Sequence, residues 1–172
     1  MTLDRIQFTT PFGPLVAFAH GRTLCALAFA DHEDSLLSDL TRRFGQVSLR
    51  RDSDTAGVRK AFAAYAKGDT AALDSLEVDT GGTPFQQSVW RALREIPAGT
   101  TMSYAGLARA IGRPAAVRAV GAANGANPVA IVIPCHRVIA SDGSLHGYGG
   151  GLDRKRWLLD HEHRHARVAS VV

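Results

Sequence analysis

The sequence predicts a mixed α/β (α+β) fold, with strands concentrated in the first half and short helices in the second. Three observations carry this. Short β-leaning apolar runs separated by Gly- and Pro-containing turns occupy the N-terminal part, and apolar residues recur at helical spacing after them. Charge also changes at Gly81-Gly82. Residues 1–80 hold 9 Lys+Arg against 11 Asp+Glu, a net of −2, and residues 81–172 hold 11 against 5, a net of +6. We therefore expect a scaffold domain over 1–80 and a second domain over 81–172. The basic half points to a polyanionic partner.

The first three strands are expected at Arg5–Phe8, Leu15–Phe18 and Thr23–Phe29, broken by Pro11-Phe12-Gly13-Pro14 and by Gly21-Arg22. Leu36, Leu37, Leu40 and Phe44 then place a helix over Ser35–Phe44. A second helix is expected from Val58 to Lys67, ended by Gly68-Asp69, while Leu73–Val78 is ambiguous. This half shows no catalytic motif.

In the second half Thr83-Pro84 supplies a helix cap and a proline at the first helical position. Phe85, Val89, Trp90 and Leu93 make one apolar face, and Pro97-Ala98-Gly99 stops the helix. Ser103 caps a helix over Tyr104–Ile111, Gly112 ends it, and Pro114 opens another running to about Ala123. Two short helices joined by a Gly-containing turn have the outline of a helix-turn-helix. The second is an unusual DNA reader, because Ala115, Ala116, Ala119, Gly121, Ala122 and Ala123 are small and Arg118 is its one long cation. Small residues suit close approach to a narrow groove. Taken alone, however, the composition favours an alanine-rich helix with a solvated Arg118.

Composition narrows the classes. A chain of 172 residues, 45% hydrophobic, can bury a core without metal or disulfide staples. No stretch approaches the ~20 apolar residues of a membrane span. The N-terminus, MTLDRIQFTTPFG, lacks a basic-then-apolar signal pattern, so a cytoplasmic protein is expected. Two cysteines build no disulfide framework, which leaves packing or chemistry for each.

Ile131–Ile139, with Pro134-Cys135-His136-Arg137 at its centre, is the most informative stretch. A thiol attacks as thiolate and has an ordinary pKa of about 8.5, so it needs a base or a positive field nearby. His136 is adjacent, but neighbouring side chains diverge, so contact is expected through a water, with a carboxylate elsewhere orienting the imidazole. Cys25 has no such company and is expected to be a small core residue. Two motifs are set aside. His161-Glu162-His163-Arg164-His165 matches H-E-x-x-H, but its polar surroundings and position near the C-terminus suit a solvated tail rather than a metal site. Gly147–Gly151 has neither dinucleotide nor Walker spacing, so nucleotide binding is rejected and a tight loop approaching a ligand is expected.

Together these residues closely resemble the O6-alkylguanine-DNA alkyltransferases, also called methylated-DNA–protein-cysteine methyltransferases. Phe85-Gln86-x-x-Val89-Trp90, Ile96-Pro97-x-Gly99, Ser103-Tyr104, Ile111-Gly112, Arg118-Ala119-Val120-Gly121, Asn127-Pro128, Ile133–Val138 and Gly147-Tyr148-x-Gly150-Gly151 fall in the family's order. The match is dense over about 83–162. Over 1–80 only the Thr10–Leu15 hairpin pattern and the strand order are alike.

The resemblance implies a ribonuclease-H-like α/β N-terminal domain and a mainly helical C-terminal domain with a winged helix-turn-helix. It implies binding of double-stranded DNA carrying O6-alkylguanine through the minor groove, with flipping of the damaged base. It further implies a monomer without membrane association, cofactor or metal, and leaves cooperative assembly on DNA and action on O4-methylthymine open. By position, Cys135 is the alkyl acceptor, His136 its activator through a water, and Glu162 the orienting carboxylate. Tyr104 would donate toward guanine N3 and crowd the flipped nucleotide's phosphate. Arg118, with Ala119 beside it on the DNA-facing helix, would fill the space in the base stack. Asn127 would bridge that helix and the active-site turn through backbone hydrogen bonds. Val138, Tyr148 and Gly149 would line the substrate pocket, the Val138 carbonyl accepting from the guanine amine and the Gly149 N–H donating to O6.

The chain keeps the reactive Cys, unlike the family's non-catalytic members, and lacks the Cys-rich zinc domain of some regulatory relatives. Position 149 is Gly where relatives often carry Ala or Ser, which bears on tolerance for bulkier alkyl groups. Two other classes stay in view: a helix-turn-helix module that only marks alkylated DNA, and a Cys–His hydrolase, for which no oxyanion-hole motif is visible.

Overall fold

The computed structural model describes residues 1–51, 53–145 and 147–171, with side chains through residue 166. By its contacts the chain divides into two compact units, Met1–Gly81 with Pro128–Ala130, and Gly82–Asn127 with the chain from Ile131 onward.

The first unit is built on a five-stranded sheet. Strands β1 (Thr2–Thr10), β2 (Gly13–His20) and β3 (Thr23–Phe29) form an antiparallel meander. After helix α1 (Glu33–Phe44), β4 (Ser48–Arg51) pairs parallel to β1; after α2 (Val58–Ala66), β5 (Glu77–Val78) pairs parallel to β3. Side chains alternate between faces along a strand, and both faces of this sheet are covered. Leu3, Val16, Phe18 and Ala26 pack with Leu36, Leu37 and Leu40 of α1. Phe8, Phe12 and Phe29 join Phe62 and Tyr65 of α2 in ring contacts. This explains why Leu15 to Ala19 are buried without interruption.

The three expected strands and two expected helices form; β1 and β2 run longer than their apolar runs alone suggest, and β3 has the expected bounds. Polar β4 is exposed along its length, so hydrophobic patterning gives no sign of it. The ambiguous 73–78 segment divides into a short 3₁₀ turn, Ala72–Ser75, and the two-residue β5.

The second unit contains α3 (Pro84–Arg94), β6 (Met102–Ser103), α4 (Tyr104–Ala110), α5 (Val117–Gly125), β7 (Val138–Ile139) and α6 (Leu152–Val171). Thr83 and Gln86 cap α3 reciprocally: the Gln86 N–H donates to Thr83 Oγ1 at 3.1 Å, and the Thr83 N–H donates to Gln86 Oε1 at 3.0 Å. Ser103 Oγ accepts from the Gly106 N–H at 2.9 Å and starts α4. Helices α3, α4 and α5 pack on one another, and Trp90 Nε1 donates to the Ala123 carbonyl at 2.8 Å. Gly82 permits that packing: at φ +82°, a Cβ there would lie 2.6 Å from the Trp90 ring.

One helix start is corrected. Pro114 does not open α5. Arg113–Ala116 instead make a turn closed by the Ala116 N–H on the Arg113 carbonyl at 2.9 Å, and α5 begins at Val117 without a side-chain cap. The fixed φ of proline is equally at home in a turn, so sequence alone does not choose between them. Among the described residues, no helix is long and apolar enough to cross a membrane.

Candidate active site

Cys135, His136 and Arg137 form a single 3₁₀ turn, preceded by Pro134 and followed by β7. The Cys135 N–H donates to the Ile133 carbonyl at 2.8 Å, and the Arg137 N–H to the Pro134 carbonyl at 3.0 Å. Upstream, Ile131 has φ +73°, a region that β-branched residues rarely occupy, so the approach to the turn is strained. All three turn residues are buried.

Burying a histidine and an arginine requires partners, and one carboxylate serves both. Glu162 of α6, 1% exposed, accepts from Arg137 Nε at 2.8 Å and Nη2 at 2.9 Å, and lies 2.9 Å from His136 Nε2. Arg137 Nη1 donates to the Ile96 carbonyl at 2.7 Å, which ties the end of α3 to the turn. Burial pushes the Glu162 carboxyl up, but His136 and Arg137 outweigh it and hold it far below the usual carboxylate range. With a permanent carboxylate at Nε2, the imidazole carries its proton there. Nδ1 is buried with no hydrogen-bond partner among the described residues. Gly99 lets α6 approach: a Cβ there would meet Ala166 Cβ at 2.7 Å and the Glu162 carbonyl at 3.3 Å.

Burial pushes the Cys135 thiol up, while a hydrogen bond from Asn127 and the charge of Lys155 pull it part of the way back. The Asn127 amide also donates to the Ile133 carbonyl at 2.7 Å, so its link to the turn runs through its side chain. Tyr104 opens α4. Burial and the proximity of Cys135 raise its phenol, which therefore stays a proton donor at neutral pH. Its ring lies against Gly121 of α5, where a Cβ would sit 3.8 Å from Cδ1. Tyr148 is raised well above its ordinary value by burial, then by Cys135 and Glu162, and its hydroxyl is buried with no hydrogen-bond partner among the described residues. Val138 is fully buried, whereas Gly149 is exposed and a Cβ there would meet nothing within 4 Å. Arg118 and Ala119 are both exposed on α5.

Cys135, His136, Glu162, Asn127, Tyr104, Val138 and Tyr148 thus gather around one turn, while Arg118 and Ala119 stand on an open helix face. Two residues were not foreseen in this role. Arg137 was visible only as a neighbour of Cys135, and Lys155, fully buried with Nζ donating to the Val138 carbonyl at 2.7 Å, gave no local signal. The reading of 161–165 as a solvated tail is corrected. These residues lie within α6, His161 and Glu162 are buried, and the His161 ring stacks on Trp157 at 4.6 Å and meets that of His165 at 4.3 Å. Polar composition misled there because the buried positions are themselves polar. Cys25 is buried on β3, its thiol pushed up by burial.

A family profile described as the DNA-binding domain of 6-O-methylguanine DNA methyltransferase matches residues 84–164. The chain is 48% identical over 159 residues to the methylated-DNA–protein-cysteine methyltransferase of Salmonella typhimurium, covering 91% of this chain and 93% of that one. It is similar to the crystal structure of the Mycobacterium tuberculosis O6-methylguanine methyltransferase, with a TM-score of 0.80, 41% identity and coverage of 95% and 94%. The crystal structure of that organism's OGT in complex with DNA matches with a TM-score of 0.77, 40% identity and coverage of 96% and 94%.

Proposed function

The chain belongs to the methylated-DNA–protein-cysteine methyltransferase family, and from that premise we propose which residues carry its chemistry. Its activity is direct-reversal DNA repair, the transfer of an alkyl group from O6-alkylguanine in DNA to a cysteine of the protein. Of the two cysteines, Cys135 is the acceptor. The observation that carries this is the buried His136–Glu162–Arg137 cluster attached to its turn.

The Cys135 proton passes through a bridging water to His136 Nδ1, the ring nitrogen left free by Glu162. The thiolate attacks the alkyl carbon, forming an S–C bond as the C–O6 bond breaks and its electron pair moves into the guanine. Tyr104, held protonated, supplies a proton at N3, so guanine leaves as a neutral base. The proton held by the His136 imidazolium restores the Tyr104 phenol through solvent, so overall a thiol and an O6-alkylguanine become a thioether and an unmodified guanine that stays in the DNA. A thioether is a poor leaving group, so each molecule acts once, and no cofactor enters the balance. Asn127 holds the turn, while Val138, Tyr148 and Gly149 frame the pocket.

The second unit also binds the DNA, with the first as its scaffold. Exposed Arg118 and Ala119 on the small-residue helix α5 support minor-groove docking with Arg118 inserted in place of the flipped nucleotide. The meander β1–β3 with parallel β4 beside β1 supports the ribonuclease-H-like reading of the first unit. The test is stoichiometric: duplex DNA with a labelled O6-methyl group should transfer its label to protein up to one per molecule. Continued demethylation beyond that limit would refute a single-use acceptor.

A further inference from the structure

The first unit holds a cleft that alkyl transfer does not use. It has a volume of about 580 Å³ and lies between the end of β1 and helix α2. Arg59, Phe62, Ala63, Ala66 and Lys67 line it along α2, at the i, i+3, i+4, i+7, i+8 spacing of a single helix face. Phe8 supplies the floor, half-buried with its ring centroid 5.2 Å from that of Phe62, and the small Ala63 and Ala66 leave the space above it open. A cation stands at each end of the stripe. Arg59 and Lys67 are both exposed, and among the described residues neither forms an ion pair, whereas Arg5, Arg42, Arg43 and Arg50 of the same unit each meet a carboxylate.

The other wall is a sheet edge. β4 pairs with β1 only from Thr2 to Arg5, so β1 continues past it to Thr10. Thr9 lies opposite Pro14 of β2, and a proline has no N–H to exchange. This pair, like Gln7–Val16, is therefore of the kind without mutual hydrogen bonds. The backbone groups of Gln7 and Thr9 thus point away from β2, and Arg59 Nη2 donates to the Gln7 carbonyl at 3.1 Å from that side. Pro11, which has no N–H, ends the edge.

We propose that this cleft docks an extended segment of a partner protein, added as a strand along the β1 edge at Gln7–Thr10 and carrying the pattern acid-x-apolar-x-acid. The walls set the spacing. From Arg59 to Lys67 the helix rises about 12 Å, and four steps of extended chain span about 13 Å. Side chains on one face of a strand recur at every second residue. Carboxylates at the first and fifth positions therefore reach the two cations, while the third side chain enters over Phe8 beside Ala63 and Ala66. No two acidic residues of this chain stand four apart, so the segment belongs to another protein. An apolar floor between two separated cations suits such a peptide better than a nucleic acid, whose backbone carries charge at every step.

The experiment titrates the full chain with an end-blocked, fluorescein-labelled peptide, Glu-Thr-Leu-Thr-Glu, and follows anisotropy together with amide hydrogen exchange by nuclear magnetic resonance. Binding is expected with a Kd on the order of 100 μM, and the Thr9 amide should exchange more slowly in the complex. Arg59→Gln and Lys67→Gln should each weaken binding about threefold, and the double variant about tenfold. Ala63→Gln, which fills the cleft from an exposed helix position without changing charge, should abolish it. The charge-reversed peptide Lys-Thr-Leu-Thr-Lys should not bind the wild-type chain, a comparison that needs no variant. Absence of binding at about 1 mM acidic peptide, equal binding of the charge-reversed peptide, or indifference to Ala63→Gln would overturn the proposal. So would displacement of the peptide by an unmodified duplex that itself protects Thr9, which would make the cleft a nucleic-acid site. Protection of Thr9 that grows with protein concentration in the absence of peptide would give the edge to a second copy instead.

Discussion

Cys25 in the first unit and Cys135 in the second are both buried, and burial pushes both thiols up. They differ in what surrounds them. Cys25 lies on β3 among Leu3, Val16, Phe18 and Leu40, with its Sγ 3.8 Å from the Thr23 carbonyl. Cys135 lies on a turn that also carries His136 and Arg137, with Glu162 and Lys155 contributed by α6 and Asn127 by the chain after α5. The contrast teaches that burial alone makes a thiol inert. Reactivity in a dry place requires a proton acceptor and a counter-charge brought in by other elements.

The sharpest way to break the comparison is to exchange the losses. Cys135→Ser should abolish methyl transfer, while Cys25→Ala should leave the transfer rate within about twofold and cost only about 1 kcal/mol of core packing. Transfer surviving in Cys135→Ser would invert the assignment. Next in size is Arg118→Ala, for which repair of duplex DNA should fall on the order of tenfold or more while reaction with a free O6-benzylguanine base is retained. Equal losses on both substrates would remove Arg118 from the DNA interface.

Glu162→Gln should destabilise the protein by about 3–5 kcal/mol, because the buried Arg137 charge would lose its carboxylate. Calorimetry that finds it neutral would mean the cluster is not held as described. A smaller effect follows from acid. The folded Glu162 carboxyl lies below its unfolded value, so the unfolded chain binds the extra proton. That stability is therefore present above the unfolded value of about 4.3 and is lost as pH falls toward the depressed one, on the order of 2 kcal/mol in all. In a folded Glu162→Gln variant the acid limb of the stability curve should be flatter, and an unchanged slope would assign it to other carboxylates.

Much of this was legible in the sequence, for identifiable reasons. The β1–β3 meander, α1, α2 and the capped starts of α3 and α4 are local events, set by alternation, periodicity and short-range caps. Cys135 and His136 showed themselves through adjacency, whereas Glu162, 26 residues beyond His136, emerged only through the family resemblance. Lys155 and the three-way role of Arg137 were hidden because a charged residue reads as solvent-exposed until folding places it against a particular carbonyl or carboxylate. For the same reason His161 and Glu162 looked like a solvated tail. The start of α5 was misplaced because Pro114 suits a turn as well as a helix.

The most direct measurement is the mass of the two cysteine-bearing peptides after incubation with excess O6-methylguanine duplex. The peptide holding Cys135 should gain the mass of one methylene, saturating at one per chain, with the Cys25 peptide unchanged. An unmodified Cys135 peptide under saturating substrate, or a methyl group on Cys25, would contradict the account.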